Sequence, residues 1–525
     1  MNSKDMFAGY SEQQIFDYLY NNSLRNGALI CLGRLLERAA DMFPDNTALI
    51  FKDEHISYKE LYSKAALFSK VLFQSGIRPR DRVILLFENS VEFYVGYWAI
   101  AQIGAVVIPL NSFLHEKEFA YIITNAQPRA LVTTNEFIEQ LSTVEDLSLP
   151  QLFTPADMAQ TSNSDTEQPV PFFDLDPDEM AVLLYTSGTT GFPKGVMLSS
   201  RNCMTNVFQV IARAGMGMDP CERILAVLPL FHSFAQNTCV WSTVFTGTTV
   251  ILVAKIERHL ILQGLEHKPT IFLGVPALYG FLCLLKTAPL ASIKYFISGG
   301  DALPDKIRTA FALIYRRKIC SGYGLTETSP VISIELNDEM YPSNTVGRLM
   351  VGIEAIIKDE DGTQLKPGSI GELFVKGDNV MLGYYDASET TKEVLHDGWL
   401  ATGDLAYFDQ KKRLVIVGRA KDLIIHKGFN IYPQEIENVL LSHPLVMRAA
   451  VIGKEESSVG EVPIAFVQLK EEEPAIESQL KELCEKNLAS YKIPRNYIYT
   501  TKDLPTTATG KVDKKKLRAE LKREE

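Results

Sequence analysis

Between residues 57 and 132 the apolar positions switch between helical spacing and unbroken runs, and the switches mark out the elements. Ser57-Tyr-Lys-Glu60 has the spacing of a capping box, in which two side chains satisfy backbone N–H groups at a helix start. Leu61, Ala65, Phe68 and Leu72 then recur on one helical face, and Gly76 ends the run. Residues 83–87 are apolar without alternation, Asn89 and Ser90 open another helix, and 105–108 and 130–132 are two more apolar strands. Strands of this kind, separated by helices, belong to a parallel sheet covered on both faces. Residues 155–178, rich in Ser, Asp, Pro and Thr, form a surface connection to a second αβ stretch that runs to about 335. From about 345 to 415 short strands with Asp361-Gly362 and Pro367-Gly368 turns predict a small β subdomain. Beyond Lys421 the pattern gives a compact α+β unit: a helix over 433–441 with proline at its start, strands near 446–452 and 464–469, and a helix over 475–488. The last twelve residues are charged and helical in pattern, and read as a solvated end. The fold class is α/β: a large N-terminal domain, 1–420, of two doubly wound αβ subdomains plus the β subdomain, then a small α+β C-terminal domain, 421–525.

The apolar strand Met180-Ala-Val-Leu-Leu-Tyr185 runs into Thr186-Ser187-Gly188-Thr189-Thr190-Gly191-Phe192-Pro193-Lys194-Gly195. Backbone N–H groups, hydroxyls and one ammonium on a single turn converge on a polyphosphate. The turn is not a Walker loop, because Lys194 follows Pro193 and precedes Gly195 instead of standing in Gly-Lys-Ser/Thr. A flexible linker would need neither the strand nor the Pro-Lys pair.

Three further segments add chemistry. Cys320-Ser-Gly322-Tyr323-Gly324-Leu-Thr326-Glu327-Thr328 offers an aromatic face for a purine, a hydroxyl for a phosphate and a carboxylate for Mg²⁺, although an ordinary hairpin with a surface glutamate has the same pattern. Gly398-Trp-Leu-Ala-Thr402-Gly403-Asp404 sets a carboxylate after a tight turn, suited to two ribose hydroxyls, and Arg419 and Lys421-Asp422 follow. Pro505-Thr-Thr-Ala-Thr-Gly510-Lys511 presents a lysine on a Thr/Gly-rich loop, otherwise one of many C-terminal lysines.

In this order the segments resemble the adenylate-forming acyl-CoA synthetases, with their relatives the luciferases and peptide-synthetase adenylation domains, and most of all the medium- and long-chain fatty acyl-CoA ligases. The resemblance runs from near Leu32 to Lys511 and is most specific over 185–195, 322–327, 399–404, 418–437 and 509–511. It implies an acid–thiol ligase: a carboxylate attacks the α-phosphate of ATP to give acyl-AMP and pyrophosphate, and the thiol of CoA then displaces AMP. By the same resemblance Thr186, Ser187, Gly188, Thr189, Thr190 and Lys194 hold the β- and γ-phosphates, Thr326 meets the α-phosphate and Glu327 binds Mg²⁺. Asp404 and Arg419 hold the ribose, and Gly300, Asp301 and Ala302 line the adenine beside the Gly322-Tyr323-Gly324 turn. Lys511 bridges the incoming carboxylate and the α-phosphate. Lys421 matches the pivot of a mobile C-terminal lid, and Gly428 lies where the pantetheine arm passes, although an ordinary loop glycine has the same spacing. His232, in Leu228-Pro-Leu-Phe-His232-Ser-Phe234, orients the carboxylate or gates the acyl pocket, or is packed into the core. Apolar side chains of Val275-Pro-Ala-Leu-Tyr279 line the tail pocket or, equally, the core. Amino-acid-activating relatives tend to carry an aspartate near His232; its absence favours a plain carboxylic acid. The family often has histidine where this chain has Ser200, a departure that concerns local packing.

Bulk properties agree. A chain of 525 residues, 46% hydrophobic and 22% charged, is that of a soluble globular protein of two or more domains. A net charge of −11 gives nonspecific nucleic-acid binding no support. From Lys421 onward 17 Lys/Arg balance 17 Asp/Glu, so the C-terminal piece is neutral and approaches phosphates more easily than the acidic remainder. Seven scattered cysteines without a Cys-x-x-Cys pair read as reduced thiols in packing roles, and with no signal-peptide core they indicate a cytoplasmic protein. The apolar run 94–110, broken by Gln102, Gly104 and Pro109, reads as helix then strand and not as a membrane span. The acceptor, CoA or an acyl carrier protein, and the chain length of the acid stay open, as do a homodimer and a peripheral membrane association.

Overall fold

The capping box closes as its spacing requires: Ser57 Oγ accepts the Glu60 N–H at 3.2 Å and Glu60 Oε2 accepts the Ser57 N–H at 2.8 Å, opening the helix Tyr58–Gln74. Its stripe of Leu61, Ala65, Phe68 and Leu72 is completely buried. The computed structural model describes residues 7, 9–114, 116–144, 147–159, 172–173, 175–186, 193–215, 221–285, 287–336, 345–427, 429–456, 460–506 and 511–523.

Two large sheets make up the N-terminal part. In the first, Gln151–Phe153, Ala130–Thr133, Arg82–Leu86, Val106–Pro109 and Met180–Thr186 run parallel, and Lys194–Ser199 then returns antiparallel, followed by the short strand Gly383–Tyr384. The second has a parallel centre of Thr47–Phe51, Thr249–Leu252, Arg223–Ala226, Ile271–Gly274, Tyr295–Ser298 and Cys320–Gly324. Helix Val91–Gln102, buried from Phe93 to Gln102, reads as apolar on nearly every side because it lies in the core and not on its rim. It is the helix of the 94–110 run, and the strand Val106–Pro109 follows it. None of the described helices is long and apolar enough to cross a membrane.

The β subdomain does not stand apart. Val331–Ile334, Thr345–Leu349, Leu414–Arg419, Trp399–Phe408, Gly371–Lys376 and Glu354–Lys358 extend the second sheet antiparallel, while Gly383–Tyr384 crosses to the first. The subdomain therefore ties both sheets together beside the antiparallel pair Met180–Thr186 and Lys194–Ser199.

Beyond the 3₁₀ turn Ala420–Asp422 a five-stranded sheet, carrying the helices Pro433–Ser442 and Ile476–Asn487, has its own core of Ile431, Ile436, Leu440, Val451, Val467 and Leu480. The chain end corrects the sequence reading. Helix Lys514–Arg523 docks: Leu517 is 1% exposed among Ile452, Val462 and Ile464, and Arg518 pairs with Asp422 at 2.6 Å. Of the cysteines expected in packing roles, Cys203, Cys239, Cys320 and Cys484 are buried, whereas Cys221 is exposed.

Candidate active site

Lys194 pairs with Thr186 across the antiparallel strands Met180–Thr186 and Lys194–Ser199, which follow one another in the chain. Lysine enters from a strand, in agreement with the exclusion of a Walker loop. Ser187, Gly188, Thr189 and Thr190 lie outside the described residues, as does Gly428. The Lys194 ammonium sits 5.1 Å from the centroid of the Tyr384 ring, and the Tyr384 hydroxyl donates to Glu327 Oε1 at 2.9 Å. Burial first, and the Glu327 charge second, raise that phenol far above its usual value, so it remains a donor.

Thr326 and Glu327 lie on a short 3₁₀ turn that buried amides hold from below. Asn206 Oδ1 accepts the Val331 N–H at 2.9 Å, its Nδ2 donates to Val331 O at 2.7 Å, and Asn237 Nδ2 donates to Ser329 O at 3.1 Å. Asn379 Nδ2 donates to Thr328 O at 2.8 Å. Gly324 explains itself by packing: a Cβ there would stand 1.9 Å from Pro330 O. Gly322 is roomier, its nearest atom 3.6 Å away. The buried Ser233 reaches Thr326 with its hydroxyl, Oγ to Oγ1 3.2 Å.

Asp404 is 3% exposed, accepts the Tyr323 hydroxyl at 2.6 Å and forms an ion pair with Arg419, Nε to Oδ1 2.7 Å. Strand register brings this about, since Asp404 lies opposite Arg419 in the ladder. Burial raises the Asp404 carboxyl above its ordinary value, against the opposing charge of Arg419. Gly300, with φ +81°, leads an exposed turn in which Asp301 Oδ1 accepts the Ala302 N–H at 2.9 Å. The neighbouring Gly299 is 3.2 Å, at its would-be Cβ, from the Phe234 ring, so this turn abuts the His232 segment.

His232 is part-buried, and its Nδ1 accepts the Phe234 N–H at 3.3 Å, which leaves the ring proton on Nε2. Burial, and after it the Lys511 charge, holds the imidazole down at about 4, so it is neutral near pH 7. Lys511 also acts on Asp404, and Lys421 within the Ala420–Asp422 turn does the same. An antiparallel bridge between Thr506 and Val512, with Asp513 N–H donating to Pro505 O at 2.7 Å, fixes the base of the Lys511 loop. Asn89 steadies the other side, its Nδ2 donating to Leu228 O at 3.0 Å and its Oδ1 accepting the Leu230 N–H at 2.9 Å.

The chain thus brings Tyr323, Asp404 and Arg419 into one cluster, and Lys194 and Glu327 into another. The sequence reading missed Tyr384, Ser233 and the asparagines; Asn89 had signalled only a helix start. Leu278 and Tyr279, offered for a tail pocket, are core residues at 4% and 0% exposure. Ser200 accepts the Leu32 N–H at 3.0 Å, a packing contact at the edge of the first helices.

A Mg²⁺ ion fits this donor set. Glu327 offers hard carboxylate oxygens on the same short turn as Thr326, and among the described residues no cluster of three or more His, Cys, Asp or Glu forms an all-protein cage. Magnesium is ordinarily held by one or two carboxylates together with substrate phosphates and water.

The fold and the site are those of an adenylate-forming enzyme. The AMP-binding enzyme family matches residues 36–385 and the AMP-binding enzyme C-terminal domain matches residues 435–511. The long-chain-fatty-acid–CoA ligase of Bacillus subtilis (strain 168) is 31% identical over 525 residues, 93% of this chain and 94% of that protein. Feruloyl-CoA synthase of an Amycolatopsis species is 33% identical over 497 residues, 93% of this chain and 98% of that protein. Among solved structures, ATP-bound MatB of Rhodopseudomonas palustris is 30% identical with a TM-score of 0.85 over 93% of this chain and 99% of its own. The o-succinylbenzoate CoA synthetase of Bacillus subtilis, in complex with its acyl-adenylate intermediate, is 28% identical with a TM-score of 0.82 over 92% of this chain and 98% of its own. The chain belongs to the AMP-binding enzyme family.

Proposed function

We propose that the protein is an AMP-forming acid–CoA ligase whose acid is a fatty acid. A carboxylate oxygen bonds to the α-phosphorus of ATP while the bond to pyrophosphate breaks. The thiol of CoA, giving up its proton to solvent, then bonds through sulfur to the acyl carbon as AMP leaves with the electron pair. The observation that carries this reading is the gathering of Tyr323, Asp404 and Arg419 in one cluster and of Lys194 and Glu327 about Tyr384 in another, with the Lys511 charge, from the C-terminal part, bearing on His232 and Asp404.

The physical problem is that two anions must meet, so fixed cations and donors have to face the transferring phosphorus and the leaving pyrophosphate. Lys194, with Thr186, Ser187, Gly188, Thr189 and Thr190, takes the β- and γ-phosphates. Thr326, fixed by Ser233, faces the α-phosphate. Glu327 holds Mg²⁺, which when bound neutralises phosphate charge. Asp404 takes the Tyr323 hydroxyl on one oxygen and faces the Arg419 charge with the other, which leaves lone pairs for the ribose hydroxyls. Gly300, Asp301 and Ala302 border the base. Lys511 neutralises the attacking carboxylate, and neutral His232 offers it Nε2–H without adding a second positive charge.

For the second step the C-terminal domain, 421–525, turns about Lys421 and delivers Gly428 to the pantetheine path. Ile425 and Phe429, 48% and 55% exposed on either side of Gly428, support such a swing, because it would cover them. The scattered cysteines, without a Cys-x-x-Cys pair, support a cytoplasmic setting. A fatty substrate draws support from the long-chain relatives and from the absence of an acidic side chain in Phe231-His232-Ser233-Phe234.

ATP–pyrophosphate exchange with acids from acetate to oleate, and with ferulate, anthranilate and o-succinylbenzoate, tests the acid. AMP release with CoA and with holo acyl carrier protein, run separately, tests the acceptor. Exchange driven only by the aromatic acids overturns the fatty-acid assignment, and exchange with none of them overturns the enzyme.

A further inference from the structure

Tyr384 joins the two halves of the phosphate site. Its short strand Gly383–Tyr384 lies antiparallel to Val196–Met197, two residues from Lys194, and Tyr385 N–H donates to Gly195 O at 2.7 Å. At the other end Met381 N–H donates to Glu327 O at 2.9 Å. Residues 381–385 are therefore a backbone splint between Lys194 and the turn that carries the carboxylate. The Tyr384 side chain, 8% exposed, repeats the connection: its ring lies beneath the Lys194 ammonium and its hydroxyl is bonded to Glu327.

We propose that Tyr384 is a positioning residue that holds Lys194 and Glu327 apart, each aimed at the nucleotide, and so sets the affinity of the site for Mg²⁺·ATP. A lysine and a glutamate this near one another gain by pairing directly, and a direct pair would withdraw both from the ligand. No ion pair joins them here; the ammonium rests on the ring face and the carboxylate takes a hydroxyl donor. A ring face binds a cation weakly enough to release it to a phosphate. One hydrogen bond on Oε1 orients the carboxylate while leaving lone pairs for a metal. Phenylalanine would keep the seat under Lys194 but remove the donor that orients the Glu327 carboxylate.

The inference rests on the reading of Glu327 as the Mg²⁺ ligand, and the experiment separates the two. Isothermal titration with ATP alone and with Mg²⁺·ATP, together with exchange and thioester kinetics, is run on wild type, Tyr384→Phe and Glu327→Gln. Tyr384→Phe is expected to bind metal-free ATP as wild type does, and to lose about 10-fold of the affinity gained on adding Mg²⁺, the effect of one hydrogen bond to a charged group. KM for Mg²⁺·ATP in the exchange reaction rises by the same factor, with KM for the acid and thioester formation from supplied acyl-AMP unchanged. If Glu327→Gln loses the Mg²⁺ effect and Tyr384→Phe does not, the positioning role is overturned while the metal site stands. If Tyr384→Phe lowers both half-reactions equally, its role is merely structural and the inference is overturned. If Glu327→Gln keeps the full Mg²⁺ effect, the metal assignment fails and this inference with it.

Discussion

Adding a single methyl group at Gly324 should disable the site without touching any group that faces the nucleotide. The new Cβ would lie 1.9 Å from Pro330 O, 2.7 Å from its carbonyl carbon and 3.1 Å from Val331 Cα, about 1.5 Å short of ordinary contact with the oxygen. Pro330 cannot recede to make room. Its carbonyl already accepts the Leu325 N–H at 3.0 Å and the Thr328 hydroxyl at 2.6 Å, and the next residue, Val331, is bound to the buried Asn206. The strand Cys320–Gly324 must yield instead, and Thr326 and Glu327 follow within three residues. Overpacking of this kind costs about 1–3 kcal/mol of stability. Displacing catalytic groups by about 1 Å costs on the order of 10²-fold in rate. Gly324→Ala is therefore expected to unfold at lower urea concentration and to exchange ATP and pyrophosphate about 100-fold more slowly than wild type. Exchange within about threefold of wild type would refute the claim that this close backbone approach sets the Thr326–Glu327 geometry.

Other expectations follow from neighbouring groups. His232 is held at about 4 against an ordinary value of 6.5, so the unfolded chain takes up its proton first as pH falls. Its contribution to stability is complete above about pH 6.5 and is lost as pH drops towards 4, roughly 3 kcal/mol in all. Urea titrations at pH 7 and 4.5 should show wild type losing more stability than His232→Gln, and equal losses would sink the reading. Lys511→Ala is expected to abolish fatty-acid-dependent exchange while retaining thioester formation from supplied acyl-AMP; equal loss of both would contradict the division of labour between the two steps. Leu517→Asp buries an unpaired carboxylate where Leu517 is 1% exposed, and should cost the C-terminal unit about 2–4 kcal/mol, read as an earlier melting transition.

What the sequence made legible was local, and what it concealed was register. The helix Tyr58–Gln74 could be read almost whole because its cap and its apolar stripe lie within eighteen residues of one another. The 186–195 segment could be picked out because strand, glycine-rich stretch and Pro-Lys are contiguous, although nothing local signalled that Lys194 opens a returning strand. Asp404 and Tyr323 were each picked out by their own segments, but the hydrogen bond between them spans 81 residues and depends on how the β strands continue the second sheet, which no local pattern encodes. Tyr384 shows the same limit more sharply. In Met381-Leu-Gly-Tyr384-Tyr it is one aromatic residue of a short apolar run, and it gains a role only because its two-residue strand crosses to the first sheet and meets residues 57 and 190 positions away.

The chain end failed for the opposite reason, since a strong local signal pointed the wrong way. In Lys514-Lys-Lys-Leu517-Arg-Ala-Glu-Leu521 the charges dominate the pattern, yet one leucine and one arginine in register with Val462 and Asp422 are enough to dock the helix. That docking bears on chemistry. Asp422 follows the proposed pivot Lys421, and Arg518 grips it from the helix that succeeds Lys511, so the proposed pivot and Lys511 belong to one clamped unit. A lid built this way would carry Lys511 in and out as a body with Asp422, and the position of the lysine would depend on the pivot angle more than on the flexibility of its own loop. Cutting the Arg518–Asp422 pair with Arg518→Ala should then slow exchange without changing the affinity for ATP.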